Sequence, residues 1–370
     1  MSAVLDKTRN ILEEYDSKKS LYSHFLEEIE HQVKSILQTS GISVNAITSR
    51  LKDKDSLKGK IDRKDGKYEN ISDITDIVGI RIITYFSEDV DRIAEIIESE
   101  FDVDKENSID KREALEPDRF GYCSVHYVVK MSQQRLKLRE CVAFKELKCE
   151  IQIRSILQHA WAEIEHDIGY KSEITVPKEM RRNFSRIAGL LEIADKEFVE
   201  IRTALAQYKK DVEEKISTQE LFDRELDAVI LGTLITQNPN ILRINKHIQE
   251  LVRIEFVTMD DSSAQRIIQY LKWFNITNVS QLFQAIVKYT DAAIAIASEK
   301  LKTFKPDDNT TINTTISFFY LCYAILLSEH CKVEEIEKYL IDGHIGRGSS
   351  KTESAKELYQ IGIKLGSSQK

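Results

Sequence analysis

Apolar residues near the start of the chain recur at helical spacing: Ile11, Tyr15, Leu21, Phe25, Ile29 and Val33 predict a helix over residues 1–49. The period then shortens. Residues 78–86 (VGIRIITYF) are β-branched and aromatic and predict a strand. Ile93, Ile96 and Ile97 return to helical spacing over 90–101. Residues 122–131 and 146–153 predict two further strands. In the first, Ser124, His126 and Val128 share a face. In the second, Leu147, Cys149, Ile151 and Ile153 alternate with Lys148, Glu150 and Gln152. Residues 154–169 read as a helix, so strand, helix, strand, strand and helix make an α/β unit. From about 178 onward the pattern is helical, with long helices over 186–207 and 221–235 and a break at Asn238-Pro239-Asn240. Residues 305–309 (KPDDN) predict a loop, and the Gly/Ser-containing tail predicts frayed last residues.

Composition agrees with this reading. Gly and Pro together are 17 of 370 residues, well below the roughly 12 % of an average chain, which favours long helices. The balance of 53 basic to 61 acidic residues, net −8, excludes a protein that coats DNA through a broad positive field. The most apolar run, residues 316–327, has 12 residues against the roughly 20 of a membrane span, and so predicts a buried core helix and no membrane partner. The N-terminus has no apolar signal core. The five cysteines are odd in number and form no C-x-x-C pair. Together these features predict reduced thiols and a cytoplasmic location.

Against the negative background, residues 50–67 hold eight basic and four acidic residues. Arg50, Lys52, Lys54, Ser56, Lys58 and Lys60 form a donor-rich strip suited to polyphosphate. Asp76 precedes the first predicted strand and Glu150 stands on the polar face of the third. Carboxylates so placed commonly hold Mg²⁺. Gly121-Tyr122-Cys123-Ser124-Val125-His126 offers a ring, a hydroxyl and an imidazole at alternating positions. Each feature also has a plainer reading: a turn aspartate, a solvated charge run, a structural histidine and, for Trp161, a core residue. The residues alone lead to a nucleotide binder with metal-dependent phosphoryl chemistry.

Five pieces in order carry a resemblance. They are Arg50-x-Lys52-x-x-x-Ser56-x-x-x-Lys60, Asp73-Ile-Thr-Asp76-Ile-Val-Gly-Ile-Arg81, Gly121-Tyr122-x-Ser124-x-His126, Glu150-Ile-Gln-Ile-Arg154, and Trp161-Ala-Glu-Ile-Glu165-His166. Over about residues 45–171 the chain resembles the RelA/SpoT synthetase domain. The resemblance implies an α/β domain with a mixed, nucleotidyltransferase-like sheet flanked by helices, followed by an all-α region. The implied organisation is a helical segment over 1–45, a synthetase domain over 46–177, and a helical regulatory or oligomerisation region over 178–370.

The implied activity is that of a GTP pyrophosphokinase of the stringent response. It moves the β,γ-diphosphate of ATP to the 3′-hydroxyl of GDP or GTP, with Mg²⁺ as cofactor. Arg50, Lys52, Ser56, Lys60 and Arg81 match ATP contacts. Asp76 matches a metal ligand. Glu150 matches a carboxylate near the acceptor hydroxyl, as base or second metal ligand. Tyr122 matches the ring that stacks on the acceptor base, with Ser124, His126, Gln152 and Arg154 around it. The chain departs from the pattern before Gly121, where Asp118-Arg119-Phe120 stands in place of a frequent amide; Arg119 then becomes a candidate acceptor contact. Some similar proteins are toxins that pyrophosphorylate the 3′ end of tRNA. GDP or GTP and tRNA both remain open as acceptors, and homo-oligomerisation is a further expectation. Too few residues precede the match for the hydrolase domain of longer relatives.

Overall fold

A computed structural model of the chain describes residues 2–64, 67–110, 124–170, 178–216, 220–221, 223–302, 304, 310–330, 332–346 and 351–367. They fall into two compact units, Met1–Thr203 and Ala204–Lys370. The first helix, α1 (Ser2–Thr39), buries Ile11, Tyr15, Tyr22, Phe25, Ile29, Val33 and Leu37 along one stripe. It stops ten residues earlier than its periodicity predicts. Gly41 takes a left-handed conformation (φ 66°), and the Ile42 N–H donates back to the Leu37 carbonyl at 3.2 Å. The chain then turns into β1 (Val44–Leu51), a strand the spacing had merged into the helix.

The other elements of the first unit are α2 (Lys54–Arg63), β2 (Val78–Thr84), α3 (Glu88–Glu100), β3 (Phe101–Val103), β4 (Ile109–Asp110), β5 (Val125–Met131), β6 (Cys149–Ser155), α4 (Ile156–Tyr170) and α5 (Lys178–Lys215). The strand predicted from 146 begins at Cys149, because Val142–Phe144 is a helical turn and the Leu147 N–H bonds to the Phe144 carbonyl. The sheet runs β1-β2-β6-β5-β3, with β4 also paired to β5. Only β2 and β6 are parallel within it, so the sheet is mixed as expected.

Alternation divides the sheet into two faces. Val78, Ile80, Ile82, Cys149, Ile151, Ile153, Val125 and Val129 join α1, α2 and α3 in one core. The intervening positions form the opposite face, next to α4. The core includes α1, so the predicted separate segment 1–45 is part of this unit. The unit also reaches past 177, since α5 residues are bonded to it. Ser155 Oγ donates to Asp195 Oδ2 (2.6 Å). Arg202 pairs with Glu88 and Asp89 and lies over the Phe86 ring. The units therefore part inside α5.

The second unit contains the end of α5 and helices α6 (Ala228–Gln237), α7 (Pro239–Val252), α8 (Asp261–Trp273), α9 (Val279–Leu301), α10 (Ile316–Glu329), α11 (Val333–Asp342) and α12 (Lys351–Ser367). Residues 223–227, predicted as helix, instead lead into α6, where Asp227 caps the first turn by accepting from the Ile230 N–H. Asn238 caps α7 ahead of Pro239. The apolar run 316–327 lies in α10 and is buried on nearly all sides. A two-residue parallel pair, β7 (Phe256–Val257) with β8 (Ile312–Asn313), and an isolated bridge between Glu225 and Asn278 depart from an all-α region. The tail forms α12. The loop predicted at 305–309 lies outside the described residues. Among the described residues, no helix is long and apolar enough to cross a membrane.

Candidate active site

The non-core face of the sheet gathers side chains that lie far apart in sequence. Register places Thr48, Arg81, Gln152 and His126 in one row across β1, β2, β6 and β5. The adjoining row reads Arg50, Gly79, Glu150 and Val128. The absence of a side chain at Gly79 leaves the sheet surface to Arg50, whose Cγ and Nε would lie 3.6 Å from a Cβ built there. Thr48, Arg50, Arg81, Glu150, Gln152 and the α4 residue Glu163 line a cleft of about 220 Å³.

Glu150 is the hub. His126 Nδ1 lies 3.0 Å from its Oε1, and Gln152 Nε2 donates to Oε2 at 3.1 Å. Gln152 Oε1 in turn accepts from Arg154 Nη2 at 2.7 Å. Burial works against a charge at Glu150. The hydrogen bond and charge of His126, the bond from Gln152 and the charge of Lys60 outweigh it and hold the carboxyl at about 2. Glu150 is thus an ionised hydrogen-bond acceptor and a weak base.

Asp76 forms the second carboxylate group. Its Oδ2 is 3.0 Å from Lys52 Nζ and its Oδ1 2.8 Å from Lys60 Nζ. Oδ1 is closed to solvent and accepts no hydrogen bond of good geometry. Two elements aim these lysines. Lys52 follows β1, its N–H bonded to the Ile77 carbonyl and its carbonyl accepting from the Tyr15 hydroxyl at 2.6 Å. Lys60 lies on α2, whose first turn is capped by Asp53 accepting from the Ser56 N–H. Ser56 itself is exposed one turn before Lys60.

The structure brings together Arg50, Arg81, Glu150, Gln152, Arg154 and His126 on the sheet face, and Lys52, Lys60 and Asp76 beside it. Ser124 is buried just before β5. Arg119 and Tyr122 lie outside the described residues. Sequence reasoning assigned no role to Glu163, which pairs with Arg81 (Nη1 to Oε1, 2.9 Å) and forms the cleft's outer wall. It missed Ser155 and Asp195 as well. Ser155 Oγ accepts from the Gln158 N–H while Gln158 Oε1 accepts from the Ser155 N–H, a reciprocal cap on α4 that Asp195 locks from α5. Burial raises the Asp195 carboxyl, against the hydrogen bond from Ser155. His159, one turn before Glu163, is lowered by burial and by the charges of Arg154 and Arg81. Capping residues 40 positions apart leave no local signal; Glu163 stood inside a matched stretch and was legible in principle.

Residues 49–175 match the family model described as a region found in RelA / SpoT proteins. The GTP pyrophosphokinase YjbM of Bacillus subtilis (strain 168) is 28 % identical over 187 residues, 49 % of this chain and 85 % of that protein. The GTP pyrophosphokinase YwaC of the same organism is 26 % identical over 206 residues, 54 % of this chain and 95 % of that one. Among solved structures, the small alarmone synthetase 1 from Bacillus subtilis bound to its product pppGpp aligns with a TM-score of 0.45 at 26 % identity, covering 52 % of this chain and 99 % of that chain. Residues 49–175 are thus similar to the region shared by RelA / SpoT proteins.

Proposed function

We propose that this synthetase domain is a pyrophosphokinase that moves the β,γ-diphosphate of ATP to the 3′-hydroxyl of GDP or GTP. The acceptor oxygen forms a bond to the β-phosphorus, the bond from that phosphorus to the α,β-bridging oxygen breaks, and AMP leaves. The hydroxyl proton passes to solvent or to a neighbouring acceptor. The observation that carries this reading is the polar sheet face: arginines from three strands around an ionised, hydrogen-bonded Glu150, next to a carboxylate flanked by two lysines. Such a site supplies positioning and charge neutralisation, which is most of what phosphoryl transfer asks of a protein. The two curated relatives bear the name of this activity.

Arg50, Lys52, Lys60 and Arg81 are the cations available to the ATP phosphates. Glu150, with a carboxyl near 2, orients the acceptor hydroxyl as a hydrogen-bond acceptor better than it serves as a strong base. Gln152 and His126 hold that carboxylate in place. Tyr122 and Arg119 remain acceptor contacts on the strength of the resemblance. The donor set fits Mg²⁺: Asp76 offers a buried carboxylate oxygen without a hydrogen bond, and Glu150 is ionised. Mg²⁺ is commonly held by one or two carboxylates plus substrate phosphates. Among the described residues no three His, Cys, Asp or Glu side chains are grouped to hold a metal, so further ligands would come from phosphates and water. Bound there, the ion would neutralise charge on the transferred group.

Transfer to tRNA is the second reading. It would need a basic surface such as Lys130, Arg135, Lys137, Arg139, Lys145 and Lys148. Three of these face acids: Lys130 with Glu146, Arg135 with Glu100 and Lys148 with Asp104. That pairing favours the free nucleotide. The deciding test incubates the purified chain with γ-labelled ATP, Mg²⁺ and either GDP, GTP or bulk tRNA. Label on the guanine nucleotide is the expected result. Label on tRNA alone would overturn it in favour of the second reading, and label on neither would remove the activity.

A further inference from the structure

We propose that a second recess in the first unit binds a small zwitterion with an aliphatic body, of the size and chemistry of the α-amino acid leucine, and that its occupancy is coupled to Asp76. The recess has a volume of about 230 Å³ and shares no lining residue with the cleft described above. Its floor is Tyr22 from α1, Ile71, Ile74 and Ile77 from the segment that leads into β2, and Leu147 just before β6. All five are buried. Its rim carries Glu14 and Lys18 from α1, and Glu146 and Lys148 from the approach to β6. The inference does not rest on the catalytic reading.

Size and charge limit the occupant. At roughly 30 Å³ of liquid per water, the recess has room for about eight heavy atoms. It is smaller than the roughly 300–1,000 Å³ of sites for larger ligands, which excludes a nucleotide. The floor is mainly branched and aliphatic, so it takes an aliphatic body through area removed from water. The rim offers two acids and two bases. Lys18 donates to Glu14 at 2.7 Å, and Lys148 to Asp104 at 2.8 Å. An ammonium has three donors and a carboxylate several acceptor sites, so these pairs leave capacity of both signs. A ligand with a single charge would meet a like charge on the same rim. A zwitterion gives each sign its opposite.

Two sets of contacts join the floor to Asp76. Ile74 and Ile77 flank it in sequence, and the Ile77 carbonyl accepts from the Lys52 N–H at 2.8 Å. From α1, Tyr22 stacks on Tyr15, with ring centroids 6.3 Å apart and planes at 21°. The Tyr15 hydroxyl donates to the Lys52 carbonyl at 2.6 Å. Both sets therefore hold the backbone of one residue, Lys52, whose ammonium lies 3.0 Å from Asp76 Oδ2. Close-packed interiors transmit strain, so a ligand wedged against Tyr22 and Ile77 shifts Lys52 against Asp76. Coupling is reciprocal: a change at Asp76 must then alter affinity in the recess.

The test is isothermal titration calorimetry of the full chain with L-leucine as probe. Leucine should bind with a Kd of about 0.1–1 mM. Leucinamide lacks the carboxylate and isocaproate lacks the ammonium; each should bind about 10-fold more weakly or worse. Glycine, without the aliphatic body, should do the same. Ser72→Trp puts a large ring at an exposed lining position and should abolish leucine binding with melting unchanged. Lys18→Ala should weaken it about 10-fold. Asp76→Asn should shift the leucine Kd about 5-fold or more. No binding by wild type, or equal binding by Ser72→Trp and Lys18→Ala, would overturn the site. Equal binding of leucinamide or isocaproate would overturn the zwitterion. A leucine Kd unmoved by Asp76→Asn would overturn the coupling. None of these readings depends on turnover, so failure of the transfer assay and failure of the titration are told apart.

Discussion

The two faces of the six-stranded sheet share the same strands and the same ladder of hydrogen bonds, yet different forces hold them. On one face, Ile80, Ile82, Ile151 and Ile153 are packed against α1, α2 and α3. Their contribution is area removed from water, and it is indifferent to which apolar side chain meets which. On the other face, Arg50, Arg81, Glu150, Gln152 and His126 stand one residue away along the same strands. Arg81 is held by Glu163, and Glu150 by His126 and Gln152. The core face can be repacked without losing the fold, whereas the polar face is specific atom by atom. Function concentrates where stability is least generic.

The strongest test of that division is Asp76→Asn. Loss of the carboxylate should lower transfer by about 10²- to 10⁴-fold, as for removal of a group that positions or neutralises the reacting charge, with a melting midpoint within a few degrees of wild type. Initial rates with saturating ATP and GDP, read beside a thermal melt, decide it. A variant that unfolds would show Asp76 to be structural. The converse is Ile151→Ala on the buried face. It should cost about 2–5 kcal/mol and lower the midpoint of the first unit by roughly 4–20 °C. Turnover per folded molecule at low temperature should be nearly unchanged. A loss of turnover without loss of stability would mean that the two faces are coupled.

The third concerns Glu150, where both roles meet. Its folded value of about 2 lies below its ordinary 4.5, so its charge stabilises the native state above pH 4.5. That contribution is lost as pH falls from about 4.5 towards 2 and amounts to about 3 kcal/mol as an upper figure. Glu150→Gln should therefore be less stable than wild type at pH 7, and urea titrations should show the gap closing as the pH is lowered through that window. A constant gap would assign the destabilisation to something other than charge. The smallest effect is expected for Gly79→Ala. The added Cβ would meet Arg50 at 3.6 Å, an ordinary contact. Turnover should change by roughly twofold at most, about 0.5 kcal/mol. A large loss would mean that Arg50 must press on the bare backbone.

The alternating faces were legible from sequence because period two survives in any strand buried on one side. Ile151 and Ile153 against Glu150 and Gln152 announce both the strand and its polar side. β1 was not legible by the same route. Val44–Leu51 alternates only weakly, and the helical stripe before it ran on past a glycine whose left-handed turn is visible only once the chain is folded. The candidate site was legible residue by residue through ordered motifs, but its wiring was not. That Lys52 and Lys60 share Asp76, or that Arg81 meets Glu163 from 82 positions away, follows from register and helix placement. The domain boundary fell at 177 in the sequence reading because an almost unbroken helical pattern starts just after it. The ion pairs of Arg202 carry the first unit some 25 residues further.

The parallel pairing of β2 with β6 has a consequence for the order in which this protein is made. Each residue of β2 waits for a partner about 70 positions later in the chain. At about 5–20 residues per second of synthesis, this strand, buried almost throughout its length in the finished unit, spends roughly 4–14 s with one edge unpaired. During that time α1, α2 and α3 can cover its core face, and β1 guards only the other edge. Slowing elongation between residues 85 and 148 would lengthen the exposure, and the yield of soluble chain should fall with it.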